Sequence, residues 1–175
     1  MTVIDVPSPF RAFPLRLPLV FDQGKLDLAD STPPAEAAIL PLTVHTAASG
    51  LNLELGLPPP WLPETKAMPL IIWGAGSAVG ADAVQLANRS NIHPLTCIAG
   101  ESKAFVESMI DRTQGDTTLN YRSDVQTSID GIQKASGGHK ILHAIEGVSS
   151  SNSTQIMAEV LAPGEKIALV LLEKD

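Results

Sequence analysis

One stretch constrains this chain more than any other. The apolar run Leu70-Ile-Ile-Trp73 stops at glycine, and Gly74-Ala-Gly-Ser-Ala-Val-Gly80 leads into a segment where Ala78, Val79, Ala83, Val84, Leu86 and Ala87 recur at helical spacing. A short apolar run closed by a turn residue reads as a buried strand, and the segment over residues 78–89 reads as an amphipathic helix. The pattern then repeats. Leu95 to Ile98 is a second strand, followed by a helix over 102–111 with Phe105, Val106, Met109 and Ile110 on one side. Thr117 to Tyr121 is a third strand and 123–135 a polar helix with Val125, Ile129 and Ile132 inward. Ile141 to Ile145 is a fourth strand, 152–161 a helix, and Ile167 to Leu172 a fifth strand. Strands joined through helices by short connections make parallel neighbours, and a parallel sheet carries helices on both faces. The sequence therefore predicts an α/β fold with a Rossmann-like parallel sheet of about five strands.

The front of the chain differs. Residues 1–32 contain Pro7, Pro9, Pro14 and Pro18 among apolar residues such as Phe10, Phe13, Leu15 and Phe21. Proline at this density forbids a helix and favours short extended pieces lying on a neighbouring surface. From Pro33 to Gly56 a helix is expected, with Thr32 as N-cap, Pro33 and Pro34 in the first turn, a kink or break at Pro41 and a stop at Gly56. The division is thus an irregular proline-rich segment, 1–32, and one nucleotide-binding domain, 33–175. A length of 175 residues suits one domain with a sizeable core. A parallel sheet ending at its fifth strand leaves an open apolar edge, for which either a homodimer, another partner or the N-terminal segment is the expected cover.

Charge and cysteine content exclude several classes. There are 12 basic and 19 acidic side chains, a net charge of −7, and no Lys/Arg cluster, which argues against nucleic-acid binding. Cys97 is the only cysteine, and His45, His93, His139 and His143 are scattered, so neither a disulfide nor a metal site is expected. No apolar stretch reaches the roughly 20 residues of a membrane span, and the N-terminus has no secretory signal, so the expectation is a cytoplasmic protein without a membrane partner.

The turn from Trp73 to Gly80 carries the chemistry. Gly74 and Gly76 let the backbone approach a pyrophosphate, and the helix that follows offers free N–H groups at its positive end. The common spacing places a third glycine at 79; here Val79 stands there and the glycine arrives at Gly80. At the end of the second strand, an acid favours the ribose hydroxyls of NAD and a base the 2′-phosphate of NADP. Ala99-Gly-Glu-Ser-Lys103 offers both, Glu101 on one side and Ser102 and Lys103 on the other.

With these residues the chain resembles the medium-chain dehydrogenase/reductase superfamily, in particular its fungal zinc-free quinone-oxidoreductase-like and trans-enoyl-reductase-like branch. The resemblance runs from about Lys25 to Lys174. It rests on Ala35-Glu-Ala-Ala-Ile-Leu-Pro-Leu, Thr46-Ala47, Leu55-Gly-Leu-Pro, the glycine loop, Val84-Gln-Leu-Ala87, Phe105-Val-Glu-Ser, Asp111-Arg with Gly115-Asp, Asn120-Tyr-Arg122 and Ala144-Ile-Glu-Gly-Val-Ser149. It implies that Gly76, Ser77, Ala78, Val79 and Gly80 line a cofactor pyrophosphate, that Tyr121 flanks the adenosine and that Thr46 points toward the nicotinamide. Glu101 stands where this branch has a lysine, for which Lys103 is the substitute, and Glu146 stands where an aspartate is usual. Family members also carry a catalytic barrel domain, about 120 residues long, ahead of this region; only about 32 irregular residues precede the first helix here.

Three functions follow as expectations. The first is a secondary-metabolism reductase that binds NADP(H) and reduces an activated alkene or quinone, a partner completing the cleft. The second is a reductase-derived isomerase, cyclase or lyase acting on a small molecule in the cofactor groove, with Glu146, Tyr121 and Glu101 as acid–base candidates. The third is a non-catalytic accessory domain.

Overall fold

The computed structural model describes residues 2–5, 12–14, 40–148 and 152–171. Five strands run parallel: β3 (Leu70–Trp73), β4 (Leu95–Ala99), β5 (Thr117–Asn120), β6 (Ile141–Glu146) and β7 (Leu161–Leu169). Two more, β1 (Thr2–Asp5) and β2 (Ala12–Pro14), extend the same sheet antiparallel, giving the order β2-β1-β7-β6-β3-β4-β5. Thr2 lies opposite Leu169 and Asp5 opposite Lys166, so β1 covers the edge of β7 that the sequence left open.

The chain steps outward from β3 to β4 to β5, then returns to the other side of β3 for β6 and β7. This reversal opens a crevice between β3 and β6 at the carboxyl ends of the strands, where ligands of open α/β sheets bind. In register, Trp73 at the end of β3 lies beside Ile98 of β4 and Glu146 of β6.

Alternation along the strands builds two cores. Leu70, Ile72, Leu95, Cys97 and Ala168 face one layer, where they meet α1 (Leu40–Ala48) through Ala47 and α2 (Ala78–Arg89) through Ala83, Val84 and Ala87. Val106 of the short α3 (Lys103–Glu107) joins the same layer. Ile71, Trp73, Ile98, Ala144 and Ile167 face the other, against Ile129 and Ile132 of α4 (Val125–Ala135) and Ile156 and Met157 of α5 (Ser153–Val160). Both faces of β3 and β4 are buried, which explains why these strands read as continuous apolar runs. Each fully buried Ile or Leu side chain here contributes about 1.5–3 kcal/mol.

Local differences from the sequence reading have physical causes. The expected N-cap Thr32, Pro33 and Pro34 lie outside the described residues. After α1 the helix widens into π turns over Ser49–Glu54, with Leu55 N–H donating five residues back to Gly50, and Gly56 ends it at φ +70°. The helix expected over 102–111 is confined to Lys103–Glu107, because Ser108 and Met109 N–H close tighter turns onto Phe105 and Val106. The last strand, expected at 167–172, spans Leu161–Leu169: its regular ladder with β6 runs from Lys166, and the Pro163-Gly164 irregularity lies before it. Among the described residues no helix is long and apolar enough to cross a membrane.

Candidate functional site

The loop after β3 is held by backbone bonds and one serine hydroxyl. Gly74 and Ala75 N–H both donate to the Ile98 carbonyl at 3.0 Å, which swings the chain over the end of β4. Gly74 adopts φ +75°, a conformation that favours glycine. Ser77 then caps α2, its hydroxyl accepting from Gly80 N–H at 3.1 Å. Gly80 does what a third glycine does in such loops. A Cβ placed on it would stand 2.1 Å from the Gly74 carbonyl oxygen and 2.8 Å from Ala75 Cα, so only glycine lets α2 press this closely on the turn. Ala78 and Val79 occupy the first helical turn, where N–H groups have no carbonyl behind them in the helix and the helix end is positive.

Three neighbouring strands end on glycine in the same way: Trp73-Gly74, Ala99-Gly100 and Glu146-Gly147. Each bare Cα is approached by another segment. Val148 lies against Gly74, the Tyr121 ring against Gly100, and the Ser77 hydroxyl against Gly147, whose N–H also donates to the Trp73 carbonyl at 2.8 Å. Gly76 faces the turn after β4: a Cβ there would meet the Ser102 side chain, its Oγ only 1.8 Å away. The carboxyl edge is thus a row of glycines onto which Val148, Tyr121, Ser77 and Ser102 close.

Beyond Ser102 the edge becomes charged. Arg122 Nη2 donates to Glu101 Oε1 at 3.1 Å, and the Arg122 guanidinium lies 5.0 Å from the centre of the Tyr121 ring. Lys103 is exposed at the start of α3, on the side where Glu107 feels its charge. Arg122 thus links Tyr121 to Glu101, while Ser102, next to Glu101 in the chain, faces Gly76.

Two candidates are engaged otherwise. Glu146 is 1% exposed; it accepts from the Ser153 hydroxyl and, at 3.2 Å, from the Thr154 hydroxyl, both in the first turn of α5. Its carboxylate ties β6 to that helix. Thr46 lies on α1, which packs on α2, and its hydroxyl donates to the Leu42 carbonyl at 2.7 Å. Cys97 is buried in β4, where burial pushes its thiol far above the usual range and keeps it unreactive.

The arrangement fits a dinucleotide: a tight glycine turn at Gly74 and Gly76, a helix start at the strand-order reversal, and Ser102, Glu101 and Arg122 beyond the ends of β4 and β5. No protein-family model matches the chain. Over 138 residues, 78% of the chain, it is 42% identical to the trans-enoyl reductase fsr4 of Gibberella fujikuroi, of which the match covers 41%. The chain is a homologue of the trans-enoyl reductases, within the medium-chain dehydrogenase/reductase superfamily. It spans about two fifths of the length of that relative. Among solved structures, the CurK enoyl reductase is 26% identical with a TM-score of 0.56, covering 75% of this chain and 37% of that one. The nucleotide-binding subdomain of the PpsC enoylreductase domain from Mycobacterium tuberculosis shares the fold at 19% identity and TM-score 0.52, covering 71% of this chain and 62% of that one.

Sequence reasoning assigned no role to Arg122, Gly100 or Gly147. The signal for the glycines was present: three strands each closed by glycine place three bare positions on one edge. Arg122 had no such signal, because its partner Glu101 meets it only when β4 and β5 are laid side by side. A cleft of about 370 Å³ opens at the opposite, amino edge of the sheet, lined by Lys66, His93, Gln114 and His139 among others, away from the glycine loop.

Proposed function

We propose that this chain binds NADP(H) across the glycine loop and serves the reduction of an activated alkene, an enoyl group, or a quinone in fungal secondary metabolism. The observation that carries this reading is the close seat of α2 on the turn at Gly80, which sets a helix start at the strand-order reversal. When bound, the cofactor supplies a hydride. The chain's own part is to hold the pyrophosphate on the N–H groups of Gly76, Ala78 and Val79, since those of Ser77 and Gly80 are taken by Gly74 and the Ser77 hydroxyl, and the adenosine at Tyr121. A homodimer mate or other partner supplies the wall that presses substrate on the nicotinamide and excludes water. The identity to a trans-enoyl reductase over most of this chain supports the enoyl substrate class. Glu146, spent on Ser153 and Thr154, gives the non-redox acid–base reading little support.

The test is a titration with NADPH and NADH, followed by quenching of the protein's two tryptophans, Trp61 and Trp73, and by cofactor fluorescence. The reading expects saturable binding below millimolar concentration, and NADPH oxidation with an enoyl thioester or quinone once a partner is present. Absence of binding at millimolar cofactor contradicts it.

A further inference from the structure

We infer that Arg122, held in waiting by Glu101, reads the 2′ position of the adenosine ribose and is what selects NADP(H) over NAD(H) in this chain. The inference rests on the dinucleotide reading of the site above and adds to it the residue that discriminates. Three observations carry it. The Tyr121 ring lies against Gly100, immediately past the last residue of β4, where the adenosine ribose sits in folds of this topology. Arg122 spreads over that ring, 5.0 Å from its centre. Its guanidinium is tethered to Glu101 through a single contact of 3.1 Å.

The chemistry of that trio is a choice between two partners. A ribose 2′-hydroxyl donates to Glu101 and leaves the ion pair standing. A 2′-phosphate is repelled by Glu101 and attracts Arg122, whose planar fork matches phosphate bidentately. The competing pair is weak, because Glu101 and Arg122 have side chains 87% and 52% exposed and solvent screens them. A dianionic phosphate that brings two hydrogen bonds displaces such a partner. Glu101 therefore lowers the NADP preference without reversing it. Lys103, the first residue of α3 and on the side of Glu107, is the bystander.

The experiment measures dissociation constants of NADPH and NADH, and of the fragments 2′,5′-ADP and 5′-AMP, for the wild type and for R122Q, E101Q and K103Q. Charge-assisted hydrogen bonds of this kind correspond to about tenfold or more in affinity. R122Q is expected to weaken NADPH and 2′,5′-ADP by about tenfold or more while NADH and 5′-AMP stay within about twofold. E101Q is expected to move the NADPH:NADH ratio the other way, and K103Q to leave it near the wild-type value. The two opposite shifts guard against a variant that merely folds poorly, since misfolding lowers all four affinities together. If the nucleotides bind but R122Q leaves the ratio unchanged, or K103Q is the variant that collapses it, this inference is overturned and the dinucleotide site stands. If none of the four nucleotides binds the wild type, the dinucleotide reading and this inference fall together.

Discussion

The two edges of the central sheet are built on different principles. At the carboxyl edge the strands β6, β3 and β4 end on Gly147, Gly74 and Gly100, and side chains of neighbouring loops, Ser77, Val148 and Tyr121, close onto these bare Cα atoms. At the amino edge the loops are laced by a buried side chain. Asp116 accepts from His93 Nδ1 at 2.8 Å, from Leu95 N–H at 2.7 Å and from Asp111 N–H at 2.9 Å, so one carboxylate ties together the entries to β4 and β5. Asn91 adds a bond to the Glu64 carbonyl at 2.7 Å. Side-chain scaffolding makes the amino edge a fastening. Glycines draw the loops of the carboxyl edge close together around a helix start whose first N–H groups suit a flat, polar ligand.

Substitutions should separate these roles. The largest effect is expected at Gly80: in G80A the new Cβ meets backbone, which has no rotamer to yield, so a loss of about 3 kcal/mol and of NADPH binding should appear in denaturant melts and titrations. D116A comes next. It leaves buried donors without a partner, at about 2 kcal/mol, yet lies at the far edge and should leave nucleotide affinity within about twofold of wild type. If D116A weakened NADPH as G80A does, the division between the edges would fail.

Smaller effects sharpen the picture. Gly56 ends the widened helix at φ +70° with open space around it, so G56A should cost about 1 kcal/mol in backbone strain and nothing in binding. His143, in β6 between the two edges, carries the pH dependence. Burial holds its imidazole below the ordinary value near 6.5, with Glu165 opposing and Lys166 adding to the shift. The unfolded chain therefore binds the proton more readily. The contribution is complete above about pH 6.5 and is lost as the pH falls below it. Urea melts from pH 7.5 down to 5.5 should show this decline in wild type and less of it in H143Q.

Legibility followed the same division. The stretch β3-α2-β4 could be read because both faces of those strands are buried, leaving apolar runs with glycine at their ends. β7 was misplaced because Pro163 and Gly164 resemble a loop, whereas the structure keeps them within the strand as an irregularity in its ladder. The π turns over Ser49–Glu54 left no trace in the hydrophobic spacing. At the site, Gly76, Ser77 and Gly80 were legible from the strand–turn–helix context. Arg122 was not, since its place depends on lateral pairing of strands, and Glu146 looked available only because sequence does not reveal that Ser153 and Thr154 reach it.

The central claim is that the glycine loop binds a dinucleotide through its backbone, and Gly76 tests it most directly. A Cβ there would stand 1.8 Å from Ser102 Oγ and 2.6 Å from Ser102 Cβ, so G76A should push the turn after β4 away from the loop and spoil the seat of the pyrophosphate between them. Titration of NADPH into wild type and G76A, matched by melting temperature, should give saturable binding to the first and at least about tenfold weaker binding to the second. Equal affinity in the two proteins would contradict the account.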